Sequence, residues 1–161
     1  VASFDVVSKI NLQEVENGVN QAQMEINNRY DFKGSNTELI WDKKTIVYKS
    51  NDDYKMNTLK DILQTKLHRR GIDISSMKFS DIEKVGGMLM KQEVTLKQGI
   101  DRETAKKITS AIRDSKIKVQ TQINDDKITV SSKSIDTLQE CIAWLKKQNF
   151  GQPLQFENMR S

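Results

Sequence analysis

LIWDKKTIVYKSNDDYKMNTLKDIL, residues 39–63, can be laid over QINDDKITVSSKSIDTLQECIAWL, residues 122–145, with one short gap. Both stretches contain paired β-rich runs separated by a short polar turn, the pattern of a hairpin. Both then run into a helical stretch with apolar residues three and four apart. In the first copy the helix caps on an aspartate, puts Met56, Leu59, Leu63 and Leu67 on one side and ends at Gly71. In the second it is SIDTLQECIAWLKK. Likeness in letters and in order marks an internal duplication.

The pattern extends outward in both directions. SFDVVSKI reads as a strand, followed by a helix with Val15, Val19, Ala22 and Ile26 on one face. Asn11 is its N-cap, and Glu14 three residues on makes an Asn variant of the capping box. In the second half MKQEVTLKQ alternates as a strand, and Asp101 caps a helix that buries Ala105, Ile108 and Ile112. KIKVQTQI and KITVSSK then form the hairpin, and LQFENM closes as a strand. Each half reads βαββα and can complete βαββαβ. The fold class is therefore α+β, a tandem duplication of two ferredoxin-like, ribonucleoprotein-like domains, each with both helices on one face of a four-stranded antiparallel sheet. IDISSMKFSDIEKVGG, ending in Gly86 and Gly87, supplies the boundary, giving domains at 1–87 and 88–161.

With 36% hydrophobic and 30% charged residues the chain has a lean core and a polar surface. No apolar run reaches the roughly 20 residues that span a bilayer, and VASFDVVSK lacks the apolar region of a signal peptide, so the expected location is the cytoplasm with no membrane partner. One cysteine and one histidine leave redox and zinc chemistry without material. Net charge is +4; residues 1–87 hold 13 basic and 13 acidic side chains, residues 88–161 hold 13 and 9. The excess is concentrated over residues 97–118, which points to an anionic partner.

SFDVVS at 3–8, RYDFKG at 29–34, RGID at 70–73, LKQGI at 96–100, AKKI at 105–108, DSKIKVQTQI at 114–123 and GQPLQF at 151–156 together closely resemble the bacterial YajQ family. The resemblance implies tandem ferredoxin-like domains whose N-terminal strands are exchanged, strand 3–9 joining the second sheet and strand 89–97 the first. It implies a nucleotide-binding protein without known catalysis, with ATP, GTP or tRNA as ligand in some members and cyclic di-GMP effector function in others.

The residues themselves offer three surfaces. RYDFKG puts Arg29 and Lys33 as cations, Tyr30 or Phe32 as a stacking face and Asp31 as an acceptor for a guanine edge within a few positions. The same residues also suit a helix end in which Arg29 complements the dipole, Phe32 fills the core and Gly34 turns the chain. The helix after Gly99 has a capping aspartate at its tip, which disfavours direct phosphate binding there. Its flank carries Arg102, Lys106, Lys107 and Arg113, with Lys97 before it; this flank is either a phosphate-binding ridge or a solvated face. Strand alternation sends Lys116, Lys118, Gln120 and Gln122 to the open side of the sheet beside Lys127, Thr129 and Ser131. None of these seven is aromatic, so stacking of bases on the sheet is not expected in this half.

Catalytic residues are not expected. Cys141 falls on an apolar face, His68 at a helix end, and the Asp52–Asp53 and Asp125–Asp126 pairs at a cap and a turn. No glycine-rich phosphate loop of either common type is present. The expectation is a non-catalytic nucleotide-binding protein, its ligand cyclic di-GMP, GTP, ATP or RNA, acting as a regulatory effector, with no cofactor or metal. The alternative is a protein-interaction module in transcription or folding, with acidic partner surfaces on the basic patch.

Overall fold

Asn11 starts the first helix by accepting hydrogen bonds from the N–H groups of Gln13 and Glu14, which otherwise lack partners at a helix start. Asp52, Asp101 and Ser134 do the same for the remaining helices, accepting from Lys55, Thr104 and Thr137. The structure, a computed structural model, describes residues 1–161. In order, its elements are β1 (Ala2–Val7), α1 (Leu12–Asn28), β2 (Glu38–Trp41), β3 (Thr45–Ser50), α2 (Asp53–Arg69), β4 (Met77–Phe79), β5 (Glu83–Val85), β6 (Leu89–Leu96), α3 (Arg102–Asp114), β7 (Gln120–Asn124), β8 (Lys127–Ser132), α4 (Ile135–Lys146) and β9 (Gln155–Arg160).

The chain forms two compact units, one continuous in sequence and one assembled from two separate segments. Unit 1 joins Val1–Lys9 to Gln98–Ser161, and unit 2 is Ile10–Lys97 with both of unit 1's segments outside it. In unit 1 the sheet order is β7-β8-β1-β9, with antiparallel neighbours throughout. Alternate residues of β1 and β8 (Ala2, Phe4, Val6, Ile128, Val130) face a core completed by Ala105, Ile108 and Ile112 of α3 and Leu138, Cys141 and Leu145 of α4. In unit 2 the order is β2-β3-β6-β4, with β5 also paired to β6. Ile46, Tyr48, Val94 and Leu96 meet the predicted apolar faces of α1 and α2. Two antiparallel sheets, each covered by two helices, make a duplicated ferredoxin-like architecture.

Two stretches differ from the sequence reading. The segment read as a connection contributes β4 and β5, both antiparallel to β6, and Gly86 and Gly87 lie in the turn between β5 and β6. Paired glycines mark hairpin turns as readily as linkers. The second concerns β7, which begins at Gln120 and not at Lys116. Ser115 caps α3, Lys116 adopts the left-handed region at φ 65°, and Val119 N–H closes onto the Ile117 carbonyl at 2.9 Å. These residues are spent in reversing the chain, so Lys116 and Lys118 leave the sheet face. Gln120 and Gln122 remain on it, opposite Ser131 and Thr129.

Gly99 has a specific task in unit 1. At φ 75° it sits where side chains are strained, and a β-carbon there would stand 2.9 Å from the Asp126 β-carbon. Its N–H donates to the Ser8 carbonyl at 2.7 Å, and its own carbonyl accepts from the Gln152 amide at 2.8 Å. Ile100 N–H reaches the Asp126 carbonyl at 2.9 Å. The exit of β1, the β7–β8 turn and the approach to β9 are thereby fastened together.

Candidate functional site

RYDFKG follows directly from the end of α1. Arg29 is the C-cap residue, and Tyr30–Phe32 make one 3-10 turn. Phe32 is 6% exposed and belongs to the core of unit 2, so it has no face to offer a base. Ser35, also buried, donates its hydroxyl to the Phe32 carbonyl and contacts the Thr37 hydroxyl, which lies 2.9 Å from that of Ser50. This relay ties the turn to the end of β3.

Arg29 is not a free cation. Its Nε and Nη2 each stand 3.0 Å from an Asp31 carboxylate oxygen, a two-pronged contact that suits the planar guanidinium. Glu25 lies 3.6 Å away and the Phe32 ring 5.6 Å beneath. The hydrogen bonds from Arg29 hold the Asp31 carboxyl below the ordinary carboxylate range, and those same bonds raise the Arg29 pKa. The two groups pair with each other across the turn, each still about two-fifths exposed. Tyr30 and Lys33 remain: Tyr30 is 86% exposed, and the Lys33 ammonium stands 5.8 Å from its ring centroid. A ring face and a neighbouring cation are the two kinds of group that stacking on a base and contacting its phosphate require.

In unit 1 the tip of α3 is closed, as the capping aspartate implies: Asp101 accepts from Thr104 N–H at 2.7 Å. Arg102 and Lys106 are exposed without an ion-pair partner, Lys107 stands 4.0 Å from Glu103, and Arg113 lies 3.3 Å from the Ser110 hydroxyl. Lys118, also exposed, lines a recess of about 550 Å³ with Lys133, Ser131, Ser132, Ser134 and Thr137. Lys97 belongs to unit 2, where it is half-buried and its N–H donates to the Ser76 carbonyl. The candidate residues therefore fall into one set on unit 2 (Arg29 to Lys33, with Lys97) and one on unit 1 (Arg102, Lys106, Lys107, Arg113, Lys118). Counted by unit, unit 1 holds 12 basic and 9 acidic side chains and unit 2 holds 14 and 13.

One polar centre was not anticipated. Asp5, between the core residues Phe4 and Val6, points to the opposite face of its sheet yet is 1% exposed. Thr129 Oγ1 (2.9 Å), Asn158 Nδ2 (3.0 Å), Arg160 Nη2 (3.4 Å) and Lys127 Nζ (3.6 Å) surround its carboxylate. Burial alone would raise its pKa; the hydrogen bonds from Asn158, Thr129 and Arg160 and the charge of Lys127 outweigh that and lower it. Asn158 makes its bond from a left-handed conformation, φ 63°, at an irregularity in the β1–β9 pairing. The alternation of SFDVVS places Asp5 on that face, but only the sheet order shows what covers it. Cys141 is fully buried, and burial pushes its thiol up to about 11, with the Glu140 charge adding to the effect. This disfavours the thiolate at neutral pH.

The model of the YajQ-like nucleotide-binding protein family matches residues 2–160. The chain belongs to this family. A Bdellovibrio bacteriovorus relative, named a nucleotide-binding protein, is 61% identical over 159 residues, with 99% of each chain covered. Relatives bearing the same description in Magnetococcus marinus and Exiguobacterium are each 46% identical over 158 residues, covering 98% of this chain and 98% and 97% of theirs. These bacterial family members match over nearly their whole length, so the similarity embraces both units. No helix is long and apolar enough to cross a membrane.

Proposed function

We propose that the protein binds a nucleotide without turning it over and serves as a regulatory effector, the base resting on Tyr30 and a phosphate meeting Lys33. The observation that carries this reading is the 86% exposure of Tyr30 beside an ammonium group that makes no ion pair. Arg29 and Asp31 hold the turn in shape and stand behind the contact. Cyclic di-GMP, GTP, ATP and tRNA are the ligands to titrate, at two salt concentrations. Tyr30→Ala weakens binding about tenfold, in line with roughly 1–3 kcal/mol for stacking one base. Unchanged affinity for every ligand in that variant overturns the proposal.

A second reading rests on Arg102 and Lys106, exposed and without ion pairs on α3. This flank suits the phosphates of an RNA strand, and binding there weakens steeply with salt. If Lys106→Ala instead costs a protein partner in a pull-down and leaves RNA binding intact, the flank is a protein-interaction surface.

A further inference from the structure

β7 ends the sheet of unit 1 with β8 as its only neighbour. An open strand edge invites pairing with another chain, and proteins blunt such edges with charges, bulges, short length or cover. At the far edge of the same sheet β9 carries Glu157, Arg160 and Asn158 at φ 63°, and its pairing with β1 is irregular. In unit 2 the edge strand β2 has four residues, one of them Glu38, and β4 has three. β7 has none of these devices. Its sequence QTQIN is uncharged, its register with β8 is regular, and Gln120, Gln122 and Ile123 are exposed.

The groups this edge offers follow from its pairing with β8. The two-residue turn at Asp125 and Asp126 makes Asn124 and Lys127 a hydrogen-bonded pair, so Gln122 and Gln120 also spend their backbone groups on β8. Those of Thr121 and Ile123 point away from it. Beyond them, the Val119 N–H is taken by the Ile117 carbonyl, and Asp125, at φ 52°, belongs to the turn. Antiparallel pairing of the strand with its own copy uses Thr121 and Ile123 together only when the two-fold axis passes Gln122, so that each Thr121 faces the other chain's Ile123.

That same centre matches the charges, because it sets Gln120 against Asn124 and Lys118 against Asp126. Lys118 and Lys133 line the recess at one end of β7, and Asp125 and Asp126 stand at the other. All four are exposed and none is in an ion pair. Lys9 feels the charge of Asp126, but its ammonium is paired with Glu157 at 2.8 Å. β2 has no such complement, since no cation lies between Gly34 and Glu38 at its start.

From this edge we infer that β7 is a self-association surface whose partner is a second copy of this chain. Two four-stranded sheets join into one across β7, and the Asp126 carboxylate of each copy meets Lys118 at the recess of the other. The inference does not depend on the reading of Tyr30. Contact confined to one short strand and its ends belongs with small, transient interfaces.

Sedimentation velocity of the full chain from about 1 µM to about 1 mM is expected to show a monomer–dimer equilibrium, with the dimer in the upper part of that range. Lys118→Glu and Asp126→Lys each weaken self-association about tenfold, because either change sets like charges opposite at both symmetry-related ends. An equimolar mixture of the two variants restores the dimer, since glutamate then faces lysine at one end and the native pair remains at the other. Thr121→Pro abolishes the dimer and leaves the circular dichroism of the monomer unchanged, because the lost N–H is not used by β8. If that variant unfolds, the mixture alone decides. A chain that stays monomeric throughout overturns the inference and leaves the edge to an extended segment of another protein. A dimer that survives in folded Thr121→Pro, or a mixture no better than either variant alone, also overturns it.

Discussion

α1 and α3 hold the same place in the duplicated plan and share little beyond what that place requires. Each begins at a capping side chain, Asn11 or Asp101, and each buries one stripe: Val15, Val19, Ala22 and Ile26 in α1, Ala105, Ile108 and Ile112 in α3. Away from the stripe they part company. α1 carries Glu14, Glu16 and Glu25 and no basic residue, whereas α3 sets Arg102, Lys106, Lys107 and Arg113 against Glu103 and Asp114. Core packing constrains volume and apolarity on one face and leaves the other to solvent or a ligand. The difference between the copies is thus where function has room to act, and the likeness is where stability resides.

Four changes test that division, and the chain supplies a separate reporter for each half: Trp144 in unit 1 and Trp41 in unit 2. Single-tryptophan backgrounds, Trp41→Phe and Trp144→Phe, allow each unit's unfolding to be followed in urea. The largest effect is expected from Gly99→Val, which meets both a positive φ and the Asp126 β-carbon at 2.9 Å. A loss of roughly 3 kcal/mol is expected from the combined backbone and packing strain, seen in the Trp144 transition and absent from that of Trp41. An equal shift in both would show that the two reporters do not unfold separately.

Next in size is Asp5, the one buried carboxylate. Asp5→Ala removes the acceptor for Thr129 and Asn158, while the half-exposed Lys127 and Arg160 find water; about 1–2 kcal/mol is expected, again in unit 1. Its pKa is lower in the folded chain than unfolded, so its contribution is complete above about pH 4 and fades as pH falls through the folded value. A pH series of urea midpoints for the Trp144 transition should therefore bend downward below about pH 4, and the Asp5→Ala chain should lose that bend.

Gly18→Ala, in α1, is expected to cost about 1 kcal/mol or less, because better helix propensity offsets most of the crowding. The added carbon meets the Leu67 Cδ2 at 2.7 Å, the movable end of a side chain, with backbone atoms of Leu67 and Lys66 at 3.3 and 3.4 Å. The Trp41 transition reads it, and a cost above that of Gly99→Val would reverse the ranking of the two glycines. Smallest for stability, at a few tenths of a kcal/mol, is Arg102→Gln with Lys106→Gln. The pair should lower the slope of log affinity against log salt for tRNA by about 2 if the flank meets phosphate.

Much of this architecture was legible in the letters because it follows from short-range rules. Asn11 and Asp101 cap the helices they were read to cap, Asp52 is the member of its aspartate pair that caps α2, and the stripes read from periodicity are the buried ones. β4 and β5 were missed because MKF and EKV are too short to show a period, and they become strands only by pairing with β6. The start of β7 was set too early because KIKV alternates like a strand while the chain there is still turning out of α3. The RYDFKG stretch stood out, but the division of labour within it did not. A sequence places Arg29 and Asp31 two residues apart without showing that the turn closes them onto each other.

The placement of β1 also sets the order in which the molecule can be finished during synthesis. Unit 2 is complete once residue 97 has emerged, but β1, made before it, finds β8 at residues 128–132 and β9 only at 155–160. At about 5–20 residues per second the ribosome needs several seconds to make the remainder. For that interval Phe4 and Val6, apolar residues meant for a core not yet made, belong to a strand without a sheet. Closing a loop this long costs entropy that grows slowly with length, whereas the delay grows in proportion. A strand made before unit 2 is thus secured only after it.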